Sequence, residues 1–191
     1  MQTKKFHVCL YILLVLFFIS CKQEIKKNTF SDFQNSRIQN QEELQVKWSD
    51  SLKVYNPFNL TLVSDNQVLT QSKFKVYVYL NLACSSCLDE LNEWSKLSIL
   101  FKEKKVELRM ICYAKDNFEY FKYLYESKEI KQLPFPFFLE EKFDFSKHNK
   151  MFKKYEMNQI ALTDNEDNIL LFGNIIHSKD IYNTFLNIIN K

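Results

Sequence analysis

Apolar and polar positions alternate along the chain in blocks that read as a regular order of elements. Val54 to Val63 predicts an irregular first strand, and Phe74 to Leu82 (FKVYVYLNL), apolar on both faces, predicts a strand buried in the middle of a sheet. Beyond Cys84, Leu88, Leu91, Trp94, Leu97 and Phe101 recur at three- and four-residue spacing, which predicts an amphipathic helix to about Lys104 with lysines in its last turns. Val106 to Tyr113 follows as a strand, with Val106, Leu108, Met110 and Cys112 on one face. Asp116 with Glu119 three residues later opens a helix to about Lys128. Leu133 to Glu140 (LPFPFFLE) predicts a short buried strand entered through two prolines, and Ser146 to Tyr155 a helix. Ile160–Thr163 and Asn168–Phe172 read as a hairpin around Asp164-Asn165-Glu166-Asp167. Ser178 caps a last helix carrying Ile181, Phe185, Ile188 and Ile189.

The sum, β-β-α-β-α-(β-α)-β-β-α, implies an α/β domain with a parallel core sheet, helices against it and an antiparallel hairpin at one edge. Composition narrows what such a domain does. Gly173 is the single glycine among 191 residues, so neither a glycine-rich phosphate loop nor a dinucleotide fingerprint can form. With 26 Lys and Arg against 23 Asp and Glu the net charge is +3, too balanced for an electrostatic nucleic-acid binder. The three histidines, at 7, 148 and 177, build no HExxH motif.

The amino terminus has its own logic. Lys4 and Lys5 precede an unbroken apolar run of 12 residues, Val8 to Ile19, which is an export signal too short for the ~20 residues a bilayer-spanning helix requires. The run ends at Phe18-Ile19-Ser20-Cys21, which resembles a bacterial lipobox and makes Cys21 the expected lipidation site, with residues 1–20 removed. Two or three acyl chains anchor stably where one does not. Lys4 and Lys5 leave with the signal and no acid does, so the net charge falls from +3 to +1. Residues 22–45 are polar and are expected to serve as a tether of roughly 25–30 Å; a short amphipathic helix using Ile38, Leu44 and Trp48 is the alternative. Residues 46–191 are the folded domain.

Export leaves Cys84, Cys87 and Cys112 as thiols in a compartment where disulfides persist. Cys84-Ser85-Ser86-Cys87 falls between the strongest strand and the start of the next helix. There the free N–H groups and the helix dipole lower the first thiol from about 8.5 toward neutrality, so Cys84 is the expected nucleophile. Cys87, just under one turn on, can resolve a mixed disulfide. Two alternatives remain open from the residues: a static disulfide, and a zinc site completed by Cys112, His148 or His177, whose spacing shows no pairing.

The CxxC at this junction and the order of elements around it resemble the thioredoxin superfamily, in particular its TlpA-like membrane-tethered branch, over about residues 54–190. The resemblance extends to an apparent β-α insertion at 134–155, to Glu90 three residues after Cys87, and to the strand, acidic turn and strand of Ile160–Phe172. It implies a central mixed sheet flanked by helices. It implies a thiol–disulfide oxidoreductase on the extracytoplasmic side of a bacterial envelope, using no cofactor, acting on protein thiols and disulfides and regenerated by a redox partner. It also implies that Glu90 tunes proton transfer at the buried cysteine. Met157-Asn158-Gln159-Ile160 stands where the family carries a cis-proline, and no proline occurs from 137 to 191. Asn158 and Gln159 are therefore the substrate-loop candidates, in a loop expected to be trans and differently shaped. Cys112 on an apolar strand face reads as an inert thiol, and His148 and His177 as surface histidines.

Overall fold

The structure, a computed structural model, describes residues 44–56, 72–116, 118–130, 133–154 and 159–191. The export run, Cys21, most of the tether, Asn158 and the stretch from 57 to 63 of the expected first strand lie outside the described residues. The elements in chain order are β1 (Lys53–Tyr55), β2 (Phe74–Asn81), α1 (Ser85–Glu103), β3 (Val106–Tyr113), α2 (Glu119–Glu126), β4 (Phe137–Leu139), α3 (Asp144–His148), α4 (Met151–Lys154), β5 (Gln159–Asp164), β6 (Ile169–Phe172) and α5 (Lys179–Ile189). They form one mixed sheet of six strands in the order β1-β4-β3-β2-β5-β6.

The apolar run of β2, broken only by Lys75, suits it to the centre of the sheet. It pairs parallel with β3, from Phe74 against Val106 to Asn81 against Tyr113, and antiparallel with β5, from Phe74 against Asp164 to Tyr79 against Gln159. A strand with neighbours on both edges and layers on both faces has no solvent side, so Phe74 through Leu80 are all buried. On one face Val76, Val78 and Leu80 join Leu91, Trp94 and Phe101 of α1, Phe121 and Leu124 of α2, and Phe185 and Ile189 of α5. On the other, Tyr77 and Tyr79 meet Ile111, Phe145, Met151, Phe152 and Val46. The β-α insertion is present: β4 extends the sheet parallel to β3, and α3 and α4 cover the second face. Leu133, Phe135, Phe137 and Leu139 are the buried members of the proline-entered segment, as the alternation requires.

Four expectations need correction. The helix expected over 146–155 begins at Asp144 and is split, because the Asn149 side chain leaves the helix to bind the amino-terminal segment: it accepts from Lys47 N–H at 2.8 Å and donates to Lys47 C=O at 2.8 Å. The amphipathic-helix alternative for Leu44 and Trp48 fails. Gln45 instead bridges to Asn168, Ile169 N–H donates to Leu44 C=O at 2.7 Å, and Trp48 lies edge-on to Phe138 with the Arg109 guanidinium 4.7 Å from its ring. Gln159 opens β5 opposite Tyr79 and is not a loop residue, since the ladder with β2 begins there. Of the two expected caps, Ser178 holds, its Oγ accepting from Ile181 N–H, whereas α2 starts only at Glu119: its cap position is Phe118, at φ 65° and without a side-chain cap bond, and Asp116 stands two residues ahead of it, accepting from Phe118 N–H and Tyr120 N–H.

Candidate active site

The site lies where β2 hands over to α1. After Asn81, whose side chain accepts from Ala83 N–H at 3.0 Å, the backbone turns and Cys84 takes extended dihedrals (φ −111°, ψ 118°) as the residue before the helix. Its carbonyl accepts from both Cys87 N–H and Leu88 N–H at 3.1 Å, closing the first turn. That turn brings the cysteines together: Cys84 and Cys87 are disulfide-bonded with Cα atoms 5.2 Å apart. Ala83, Ser85 and Ser86 around Cys84 are exposed, whereas Cys87 packs on the main core. Both cysteines are half-buried, and the exposed neighbours lie on the Cys84 side.

Electrostatics at Cys84 favour its anion. No acidic residue stands in the first turn of α1 to offset the positive end of the helix. The Ser86 hydroxyl is 3.2 Å from the Cys84 sulfur and is placed to donate to a thiolate there. Ser86 escaped the sequence reading, since the two residues inside a CxxC carry no periodic signal.

Glu90 is turned inward. Its side chain is 13% exposed, Oε1 lies 2.8 Å from His177 Nε2, and Oε2 is buried with no hydrogen-bond partner among the described residues. This is not the posture of an ordinary solvated helix acid. Being three residues after Cys87 on a helix sets its Cβ about 5–6 Å from that of the cysteine. His177, expected as a plain surface histidine, is exposed but engaged. His148 remains at the surface, with Nδ1 2.8 Å from Asp144 C=O. Cys112 is fully buried and unpaired, and burial alone pushes its thiol well above the ordinary range, which makes it inert. Among the described residues no three His, Cys, Asp or Glu side chains converge as metal ligands.

A parallel βαβ unit with CxxC at its strand-to-helix junction, followed by an antiparallel hairpin and a helix on a mixed sheet, defines a thioredoxin-like fold. Several solved structures are similar to this chain. One, from Chlorobium tepidum and described as thiol:disulfide interchange protein DsbE, has 13% identity and a TM-score of 0.48 over 63% of this chain and 82% of its own. The thioredoxin domain of a thiol-disulfide oxidoreductase from Bacteroides vulgatus has 21% identity and a TM-score of 0.45, over 62% and 81%. The exposed lipoprotein thioredoxin of Streptococcus pneumoniae has 14% identity and a TM-score of 0.46, over 62% and 88%. No family model and no curated protein sequence matches the chain.

Proposed function

We propose that this protein is a membrane-anchored thiol–disulfide oxidoreductase of the bacterial cell envelope, acting on protein thiols and disulfides. The observation that carries the reading is the Cys84–Cys87 bond, with Cys84 half-buried immediately before α1 between exposed Ala83 and exposed Ser85 and Ser86. In the reducing direction the Cys84 thiolate attacks a substrate disulfide, forming a mixed disulfide and expelling one substrate thiolate. Cys87 then gives its proton to Glu90 Oε2 and attacks the Cys84 sulfur. The Cys84–Cys87 bond forms, the bond to substrate breaks, and the second substrate thiolate leaves, taking a proton from water. One dithiol is oxidised and one disulfide reduced, and a redox partner returns the protein to its starting state; the oxidising direction is the reverse. The anchor is lipid on Cys21, which fits the short apolar run before it. Among the described residues no helix is long and apolar enough to cross a membrane.

The test is reduction of a protein disulfide by the full chain with a small dithiol as the source of electrons. Cys84→Ser is expected to abolish turnover. Cys87→Ser is expected to stall at a mixed disulfide that can be trapped with substrate. Turnover that survives both substitutions, or none in the native chain, would defeat the reading.

A further inference from the structure

We propose that His177 is a positioning residue of the dithiol site: by donating Nε2–H to Glu90 Oε1 it fixes the carboxylate and leaves Oε2 as the oxygen that exchanges a proton with Cys87. This rests on the exchange reading above. An ionised carboxylate only accepts, so the hydrogen in the 2.8 Å contact belongs to Nε2. An ion pair between two exposed side chains would mean little. Here the acid is only 13% exposed, and its second oxygen is buried without a partner, so the carboxylate has spare acceptor capacity one turn from Cys87.

The backbone that presents His177 is fixed at successive positions. Phe172 ends β6 at the edge of the sheet that also carries the CxxC turn, because β5 and β6 are each antiparallel to the strand before them in the sheet. Gly173 follows at φ 145°, where a Cβ would come within 2.6 Å of Ile181 Cδ1, and its N–H donates to Ile160 C=O at 2.9 Å. Asn174 Oδ1 then accepts from Ile176 N–H at 2.8 Å and His177 N–H at 3.1 Å, and Ser178 caps α5. The chain's single glycine is thus spent on the loop that aims this histidine. The charged groups nearest the pair in sequence, Asp89 and Glu93 on α1 and Lys179 and Asp180 on α5, are exposed, and Glu93 is taken by Lys96 at 2.6 Å.

The experiment uses the full chain carrying Cys84→Ser, which frees Cys87 while Cys112 stays buried, and follows the rate of Cys87 alkylation by iodoacetamide against pH on the peptide that contains Cys87, apart from Cys9 and Cys21. Glu90→Gln removes a negative charge beside the thiol and is expected to move the profile to lower pH, with about threefold to tenfold faster alkylation below its midpoint. His177→Ala, which releases the carboxylate to solvent, is expected to move it the same way. The two together should move it no further than Glu90→Gln alone, and His177→Gln, whose amide N–H takes the place of Nε2–H, should stay near the parent profile. A profile unmoved by His177→Ala, or a His177→Ala shift that persists in full on top of Glu90→Gln, overturns the proposal. This readout needs no turnover, so it separates failure of the histidine's role from failure of the exchange function.

Discussion

At the Cys84 sulfur the positive end of α1, which the Cys84 side chain does not cap with a hydrogen bond, acts together with one local donor, the Ser86 hydroxyl at 3.2 Å. Ser86→Ala removes that donor, and at this partly exposed position the loss is worth ~1 kcal/mol, about a fivefold slower alkylation of reduced Cys84 at neutral pH. A second residue-scale prediction concerns alkali. Burial raises the Cys112 thiol well above its ordinary range, and burial together with hydrogen bonds to Asp167 and Glu140 raises the Tyr77 and Tyr79 phenols above 10.0. In each case the unfolded chain loses its proton first as pH rises. Stability is therefore fully present below the ordinary values and falls through them, by up to ~1.4 kcal/mol per pH unit for each group. The urea midpoint of the oxidised protein should hold steady to about pH 9 and then decline, and Tyr79→Phe should flatten the decline above pH 10; a midpoint flat through pH 11 would contradict it. Residues differed in legibility for physical reasons. Cys84 and Cys87 were readable because spacing and a strand-to-helix boundary are both local. His177 was not, because its partner lies 87 residues away and a solvent-facing side chain leaves no periodic trace. Only Gly173, Asn174 and Ser178 hinted at a fixed loop.

Elements whose cause is local came out within a residue or two: β2 and β3 from apolar runs, α1 from its heptad-like stripe, α5 from Ser178. The 146–155 helix did not, because Asn149 has a partner that pattern cannot show, the backbone of Lys47. Its side chain also donates to Phe145 C=O at 2.8 Å, so Asn149→Ala removes three hydrogen bonds at once, two of them the part-buried bonds that hold Lys47. It should cost about 2–3 kcal/mol in urea unfolding. Helix ends in a chain with one glycine bear a different cost. Lys105 (φ 54°) and Lys128 (φ 62°) follow α1 and α2 in the left-handed region that glycine normally fills. Lys105→Gly should stabilise the fold by ~0.5–1 kcal/mol, the reverse of what glycine does inside a helix; a loss of stability would show that the lysine stem contributes more than its backbone strain costs.

For the whole molecule, the antiparallel ladder of β2 and β5 sets two poles. The CxxC lies beyond the carboxyl end of β2, and the 164–168 turn lies at its amino end, where Gln45 joins Asn168 and Val46 N–H donates to Asp167 C=O at 2.9 Å. Lys75 and Tyr77 both hydrogen-bond Asp167, at 2.8 and 2.6 Å, and fasten that turn from beneath. A tether arriving from a lipid on Cys21 would therefore enter at the pole opposite the dithiol. Eight residues of β2, at about 3.3 Å each, separate the two by roughly 26 Å, so the sulfurs would lie far from the point where the tether joins the domain. On vesicles the lipidated protein should accordingly reduce a soluble protein disulfide about as fast as the unanchored chain does, and a large loss of rate on anchoring would contradict this polarity. All of it depends on Cys84 and Cys87 cycling between dithiol and disulfide. The most direct measurement is their reduction potential, read as the fraction oxidised in glutathione buffers by trapping free thiols in the full chain. A value between about −270 and −120 mV, the span of working exchange dithiols, is the expected result, and one below about −300 mV would make the bond a static brace.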